Sequence, residues 1–172
     1  MPRHLRLRLI PGFLASVSFA ALASCYGFSG GGLPPAIKTV AVLPFDNLTA
    51  EAALTQQISV AVREAVQNRL GLRQAGEAQA DALVRGSITR YEPDLPVAYT
   101  GNAVGSGVTV TRRLVQITVT VEILDQKTNR ALWQRSGLTI EGDYEPGREA
   151  DGRQKALDRL IVNIVEGAQS QW

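Results

Sequence analysis

The chain has 172 residues, with 18 Lys and Arg, 16 Asp and Glu, one histidine and one cysteine. The histidine, His4, lies in an N-terminal segment that is typical of a cleaved signal, so the remaining chain has none. This composition excludes Ser-His-Asp and Cys-His catalysis and zinc sites built from His and Cys. Carboxylate or lysine chemistry stays open, but the sequence singles out no carboxylate pair, so we expect a protein that is not an enzyme and that holds no metal or cofactor.

Residues 1–24 have the pattern of a secretory signal peptide. Arg3, Arg6 and Arg8 precede an apolar run from Leu9 to Ala23. That run is about 15 residues, shorter than the roughly 20 that a membrane-spanning helix needs. It ends in small residues, which is typical of a signal that is removed before folding.

The segment Leu22-Ala-Ser-Cys25 resembles a bacterial lipobox, which implies cleavage before Cys25 and a covalent diacylglyceryl and N-acyl lipid on that residue. The alternative is a bystander thiol, but Cys25 is the only cysteine and directly follows the apolar run. Several acyl chains give stable membrane attachment without a spanning helix. Tyr26 occupies the position where aspartate retains enterobacterial lipoproteins in the inner membrane, so we expect the outer membrane, on its periplasmic side.

The charge of the mature chain differs from that of the whole chain. Three of the 18 Lys and Arg residues lie in the signal, which leaves 15 against 16 Asp and Glu, a net charge of −1. No basic field remains, so nucleic acid is excluded as a partner.

The first mature elements are a tether, a strand and a helix. Residues 25–36 combine glycines with Pro34-Pro35 and predict a lipidated flexible tether. The apolar run Val40–Leu43 predicts a strand that is buried on both faces or central in a sheet, and Pro44 should close it. Asn47 or Thr49 is expected to cap the following amphipathic helix, with Glu51 in its first turn and Gly71 at its end.

The middle of the chain is less regular. Residues 82–91 alternate weakly and predict a second strand. Residues 92–108 are rich in proline and glycine and indicate either a long loop or an extended ribbon. A loop of this length is usually functional or mobile.

The last third has the clearest patterns. Val115, Ile117, Val119, Val121 and Ile123 alternate with polar residues, which predicts a strand with one buried face within 109–124. A return strand follows, and the opposite parities of Leu132 and Trp133 indicate a bulge or burial on both faces. A regular apolar stripe from Leu157 to Ala168 predicts a helix from about Arg148.

The order strand, helix, strand, strand, strand, helix predicts one α+β domain over residues 37–172. We expect two helices packed on one face of a four-stranded mixed sheet, with the first two strands parallel because a helix connects them.

Three arginines are candidate contacts for lipid phosphates. Arg90, Arg112 and Arg113 flank the 92–108 segment at strand ends, and the guanidinium group suits bidentate phosphate binding. The alternative is that all three are solvated side chains.

The chain resembles the LPS-assembly lipoprotein family, LptE, over residues 25–172. The resemblance is carried by the lipidated cysteine with nearby Gly, Tyr and Phe, by GLPPAIKTVAV and PFDNLT, by the ITVTVEILDQKTNRALW hairpin and by the final helix ending in Trp172. The order Cys-Tyr-Gly departs from the more frequent Cys-Gly-Tyr. The family implies a non-enzymatic role: a plug inside the outer-membrane β-barrel LptD, assistance in its assembly, and contact with lipopolysaccharide.

A second resemblance points to another class of protein. VAVLPFDN also resembles the first strand of periplasmic domains in secretion-pore lipoproteins of the curli-export type and in an envelope-scaffold protein. That class needs long membrane hairpins, for which 148 mature residues leave little room. Both hypotheses stay open here.

Overall fold

The computed structural model describes residues 33–101 and 107–170. The elements in chain order are β1 (Thr39–Val42), β2 (Asp46–Asn47), α1 (Ala53–Asn68), β3 (Arg73–Gln74), a 3-10 turn (Glu77–Gln79), β4 (Ala82–Thr100), β5 (Thr109–Asp125), β6 (Arg130–Tyr144) and α2 (Glu149–Ser170). The signal peptide, Cys25 and most of the tether lie outside the described residues. Neither described helix is long and apolar enough to cross a bilayer.

All six strands belong to one mixed sheet, in the order β3-β1-β4-β5-β6 with β2 beside β4. β1 runs parallel to β4, as predicted for strands joined through a helix, and β4, β5 and β6 form an antiparallel meander. The predicted count of four strands was wrong. The two additional strands, β2 and β3, are each two residues long, too short to produce an alternation or an apolar run in the sequence.

Both helices cover the same face of the sheet, so the predicted α+β class with two helices is confirmed. The five alternating apolar residues of β5 are at most 1% exposed and join the apolar stripes of α1 and α2 in one core. The polar residues between them point to the opposite face, which neither helix of the described residues covers. That uncovered face of the sheet is called the open face below.

The start of α1 differs from the prediction. Its N-cap is Ala52, without a side-chain cap, and Glu51 precedes the helix rather than lying in its first turn. The Asn47 side chain instead closes the preceding turn, donating to Glu51 O at 2.8 Å and accepting from Thr49 N at 2.9 Å. The Asn47 side chain therefore forms an Asx turn before the helix and is not available to cap it.

Helix α2 lies unusually close to β6. A Cβ built on Gly142 would overlap Gly152 O of the helix and lie 2.8 Å from Ala156 N. Further along, a Cβ on Gly167 would overlap the indole of Trp133. Leu132 and Trp133 are 5% and 3% exposed beside a register shift, so the predicted two-sided burial and bulge are both present.

The segment after Tyr91 is an extended ribbon, the second of the two predicted alternatives. β4 continues to Thr100 with register shifts around its two prolines. The last β5–β6 pair is Arg113 with Tyr144, so residues 97–100 of β4 and 109–112 of β5 extend beyond it as two strands, flanked by Gly101 and by residues 107–108. We call these residues the ribbon.

Candidate functional site

Arg90 lies on the open face of the sheet. Its Nε lies 3.1 Å from Glu92 Oε1, and the Arg90 side chain is 64% exposed. The pair joins residues two apart on one strand in open solvent, where an ion pair contributes little to stability.

Arg113 takes part in a group of side-chain contacts on the face of the sheet that the helices cover. Its guanidinium pairs with Asp94, and the Tyr144 hydroxyl donates to Pro93 O at 2.6 Å and to Asp94 at 3.1 Å. The hydrogen bond from Arg113 lowers the pKa of Asp94, and burial raises the pKa of Tyr144. These contacts hold the irregular part of β4 against β6, so Arg113 has a structural partner.

Arg112 lies at the base of the ribbon, close to residues that are distant from it in the sequence. Its guanidinium is 2.6 Å from Asp143 Oδ2, while Lys155 Nζ is 3.3 Å and Arg159 3.9 Å from the same carboxylate. The pKa of Asp143 is lowered, chiefly by the hydrogen bond from Lys155. We call these four residues the cationic cluster, which has three cations and one carboxylate.

The two helix cations also cover the edge of the sheet. Lys155 Nζ donates to Asp143 O at 2.8 Å, and Arg159 donates to Glu141 O at 2.6 Å. These carbonyls lie on β6, an edge strand whose backbone would otherwise be open to strand pairing. Lys155 and Arg159 are four residues apart and therefore lie on one face of the helix. In the sequence, that spacing predicts only a solvated polar surface and not a contact with β6.

The ribbon beyond the cationic cluster is apolar and exposed. Val97, Tyr99 and Val108 are 48%, 58% and 72% exposed, and Tyr99 pairs with Val110 across the two strands. Monomeric proteins seldom expose such side chains together without a partner.

The open face is polar over the middle of the sheet. Cross-strand pairs run over it there: Arg85 with Glu122 at 2.9 Å, Thr118 with Thr139 at 3.2 Å, and Gln116 with Glu141 at 2.9 Å. This middle part of the face is therefore suited to contact with water or a hydrated partner. In the described ranges no group of three His, Cys, Asp or Glu residues could hold a metal ion.

The three arginines that the sequence singled out therefore lie in three different environments. The structure brings Arg112 together with Lys155 and Arg159, ties Arg113 to Asp94 and leaves Arg90 apart on the open face. None of these positions tests whether the arginines contact lipopolysaccharide, which stays a prediction. Cys25 lies outside the described residues, so its lipidation also stays a prediction.

A comparison with family models matches residues 37–168 to LptE, described as lipopolysaccharide-assembly. A comparison with curated proteins found no match.

Among solved structures, a Xanthomonas campestris protein has a TM-score of 0.51 at 12% identity, covering 81% of this chain and 90% of that one. PelC from Paraburkholderia phytofirmans, described as a dodecamer, has a TM-score of 0.48 at 15% identity, covering 81% and 94%. Lipoprotein B from Nitrosomonas europaea has a TM-score of 0.49 at 12% identity, covering 82% and 86%. At 12% identity, the likeness to the Xanthomonas protein shows a similar fold and nothing more.

Proposed function

The chain belongs to the LptE lipopolysaccharide-assembly family, and we propose that it is an outer-membrane lipoprotein that plugs the LptD β-barrel and helps it to assemble. In this proposal Cys25 carries the lipid anchor and the domain works without catalysis, at the periplasmic side of the outer membrane. Its partners are the barrel and lipopolysaccharide.

The observation that carries the proposal is the polar open face, taken with the family. A domain placed in a wide barrel lumen meets water and polar side chains rather than lipid. The cross-strand pairs Arg85–Glu122 and Gln116–Glu141 provide a fixed hydrophilic surface over the middle of the sheet. The opposite face is closed by the helices, so the core is complete without the barrel.

The cationic cluster supports contact with lipopolysaccharide. Lipid phosphates carry the charge that Arg112, Lys155 and Arg159 present, and charge-assisted hydrogen bonds to phosphate are strong. One carboxylate, Asp143, holds the three cations together. We therefore favour Arg112 among the three predicted arginines, because it shares one carboxylate with two other cations, whereas Arg90 and Arg113 each pair with an acid of their own.

Co-purification tests the barrel partner. A tagged full-length protein extracted in mild detergent should bring down one large β-barrel in about equal amounts. A homo-oligomeric ring without a barrel would refute the plug and support the secretion-pore alternative. Metabolic labelling with a tagged fatty acid should mark the wild-type protein and not the Cys25→Ser variant, and equal labelling of both would refute lipidation of Cys25.

Lipopolysaccharide binding is tested separately. The double variant Lys155→Gln and Arg159→Gln should bind lipopolysaccharide at least about tenfold more weakly, because two charge-assisted contacts are lost. The matched control is Arg135→Gln, an exposed arginine on β6 outside the cluster. If the double variant and the control bind lipopolysaccharide with equal affinity, the cationic cluster has only a structural role.

A further inference from the structure

The charges of the mature chain are unevenly distributed along the sheet. The tether joins the domain at the end where β1, β3 and β4 begin, and we call this the tether end. Arg73 N donates to Lys38 O at 3.0 Å, Lys127 Nζ lies 3.0 Å from Asp81 Oδ1 just before β4, and Arg130 begins β6. Five exposed cations share the tether end: Lys38, Arg69, Arg73, Lys127 and Arg130.

Fewer acids lie at this end, and they are engaged locally. The acids are Glu77, Asp81 and Asp125. Asp81 accepts hydrogen bonds from two backbone amides and from Lys127, and Asp125 accepts from two amides of its own turn. Five cations against three acids give the tether end a charge of +2, while the other 10 cations and 13 acids of the mature chain sum to −3. More than one helical turn further in, Arg63 of α1 and Glu166 of α2 offset each other.

The ion pairs show the same asymmetry. Nine Lys and Arg side chains lie within 4.0 Å of an acid. Six have no such acid within residues 33–101 and 107–170, and four of these six lie at the tether end: Lys38, Arg69, Arg73 and Arg130. Arg69 is the C-cap of α1, where the helix dipole favours a cation. The other three adjoin strands and have no such reason. Unpaired cations at one end of an otherwise acidic domain fit an anionic partner.

The place of the anchor favours a membrane surface as that partner. Residues 25–36 join the domain at the tether end and span at most about 40 Å. β4 has 19 residues and is about 60 Å long, so the opposite end of the sheet lies beyond the reach of the tether. A chain that is anchored through Cys25 presents the tether end to the bilayer at a high effective concentration. Anionic phospholipid headgroups attract such clusters of Lys and Arg.

We propose that the tether end docks on the anionic phospholipid headgroups of the leaflet that holds the lipid on Cys25. The five exposed cations make the contact. This inference rests on the lipid anchoring in the proposed function and adds the orientation of the domain. Docking sets the long axis of the sheet across the membrane plane, with the ribbon directed away from that leaflet.

The test uses the full lipidated chain in vesicles whose lipids carry a nitroxide quencher on the headgroup. A fluorophore is attached to Thr128→Cys, in the turn before β6 at the tether end, or to Thr109→Cys, at the start of β5 at the opposite end. Cys25 is the only native cysteine, and lipid on its thiol leaves the introduced cysteine as the one reactive site. The vesicles contain phosphatidylcholine alone or with about 30 mol% phosphatidylglycerol, which supplies the anionic surface.

We expect quenching at position 128 and not at position 109, and only in vesicles that contain phosphatidylglycerol. Arg73→Gln with Arg130→Gln should lower the ratio of docked to undocked chains roughly thirtyfold, because each cation near an anionic surface contributes about fivefold. About 0.5 M salt shortens the Debye length to about 4 Å and should also abolish the quenching. The matched control, Arg135→Gln with Arg148→Gln, removes the same charge away from the tether end and should leave the quenching unchanged.

Several results would overturn the docking. Equal quenching at both positions would mean that the domain lies along the membrane. Equal quenching of position 128 in neutral and anionic vesicles, or an equal loss in the two double variants, would mean that these cations do not bind the headgroups. If the chain stays with both kinds of vesicle but position 128 is never quenched, only the docking fails. If the chain stays with neither, the lipid anchoring in the proposed function fails.

Discussion

Replacement of Gly142 by alanine probes the close contact between β6 and α2, which positions the cationic cluster. The new Cβ would overlap Gly152 O and lie 2.8 Å from Ala156 N, both backbone atoms of α2. Backbone cannot rotate away as a side chain can, so the helix must move outward. Gly142 and Asp143 are neighbours, and the movement also carries Lys155 and Arg159 away from the Asp143 carboxylate.

Overpacking of this kind typically costs about 1–3 kcal/mol, and occasionally more. The two nearest atoms here are backbone, so we expect the upper end, about 3 kcal/mol. For a domain of this size 1 kcal/mol corresponds to about 4 °C in Tm, so Gly142→Ala should lower Tm by about 12 °C. Urea unfolding followed by circular dichroism gives the free energy of unfolding directly.

The matched control is Gly107→Ala. A Cβ at that position meets nothing within 4 Å, so its free energy of unfolding should change by no more than about 0.5 kcal/mol. A Gly142→Ala variant as stable as this control would refute the argument, because it would mean that α2 does not rest on the β6 backbone as described.

Three further predictions follow from single contacts. Ser59→Ala removes the acceptor of the buried hydrogen bond from Phe45 N, at 3.1 Å, and should cost about 1–3 kcal/mol of unfolding free energy in urea; a neutral result would mean that Phe45 N finds another acceptor. The pKa of Asp81 is lowered, first by the hydrogen bond from Lys127, so its stabilising effect is present above pH 4 and lost as the pH falls through the folded value. Asp81→Asn should therefore flatten the fall of Tm between about pH 4 and pH 2, and an unchanged slope would contradict this assignment. Tyr91→Phe loses the hydrogen bond from its hydroxyl to Glu149 Oε1 at 2.8 Å and should lower the unfolding free energy by about 1.5–3 kcal/mol, again measured in urea.

The sequence alone determined the elements whose pattern repeats over many residues. The alternation from Val115 to Ile123 predicted the central strand, and the stripe from Leu157 to Ala168 predicted α2, because burial of one face imposes a period on every element that packs against a core. The order of these elements then determined the parallel pairing of β1 with β4. Cys25 and the family resemblance were also evident without coordinates.

Only the tertiary structure decided the contacts between distant residues. β2 and β3 form because neighbouring strands offer them hydrogen bonds, and two residues cannot produce a pattern of their own. Arg112, Asp143, Lys155 and Arg159 meet because α2 folds back along β6, and Gly142 permits that approach by lacking a side chain. The cationic cluster and the exposed ribbon end are therefore consequences of packing, which places side chains together whatever their separation along the chain.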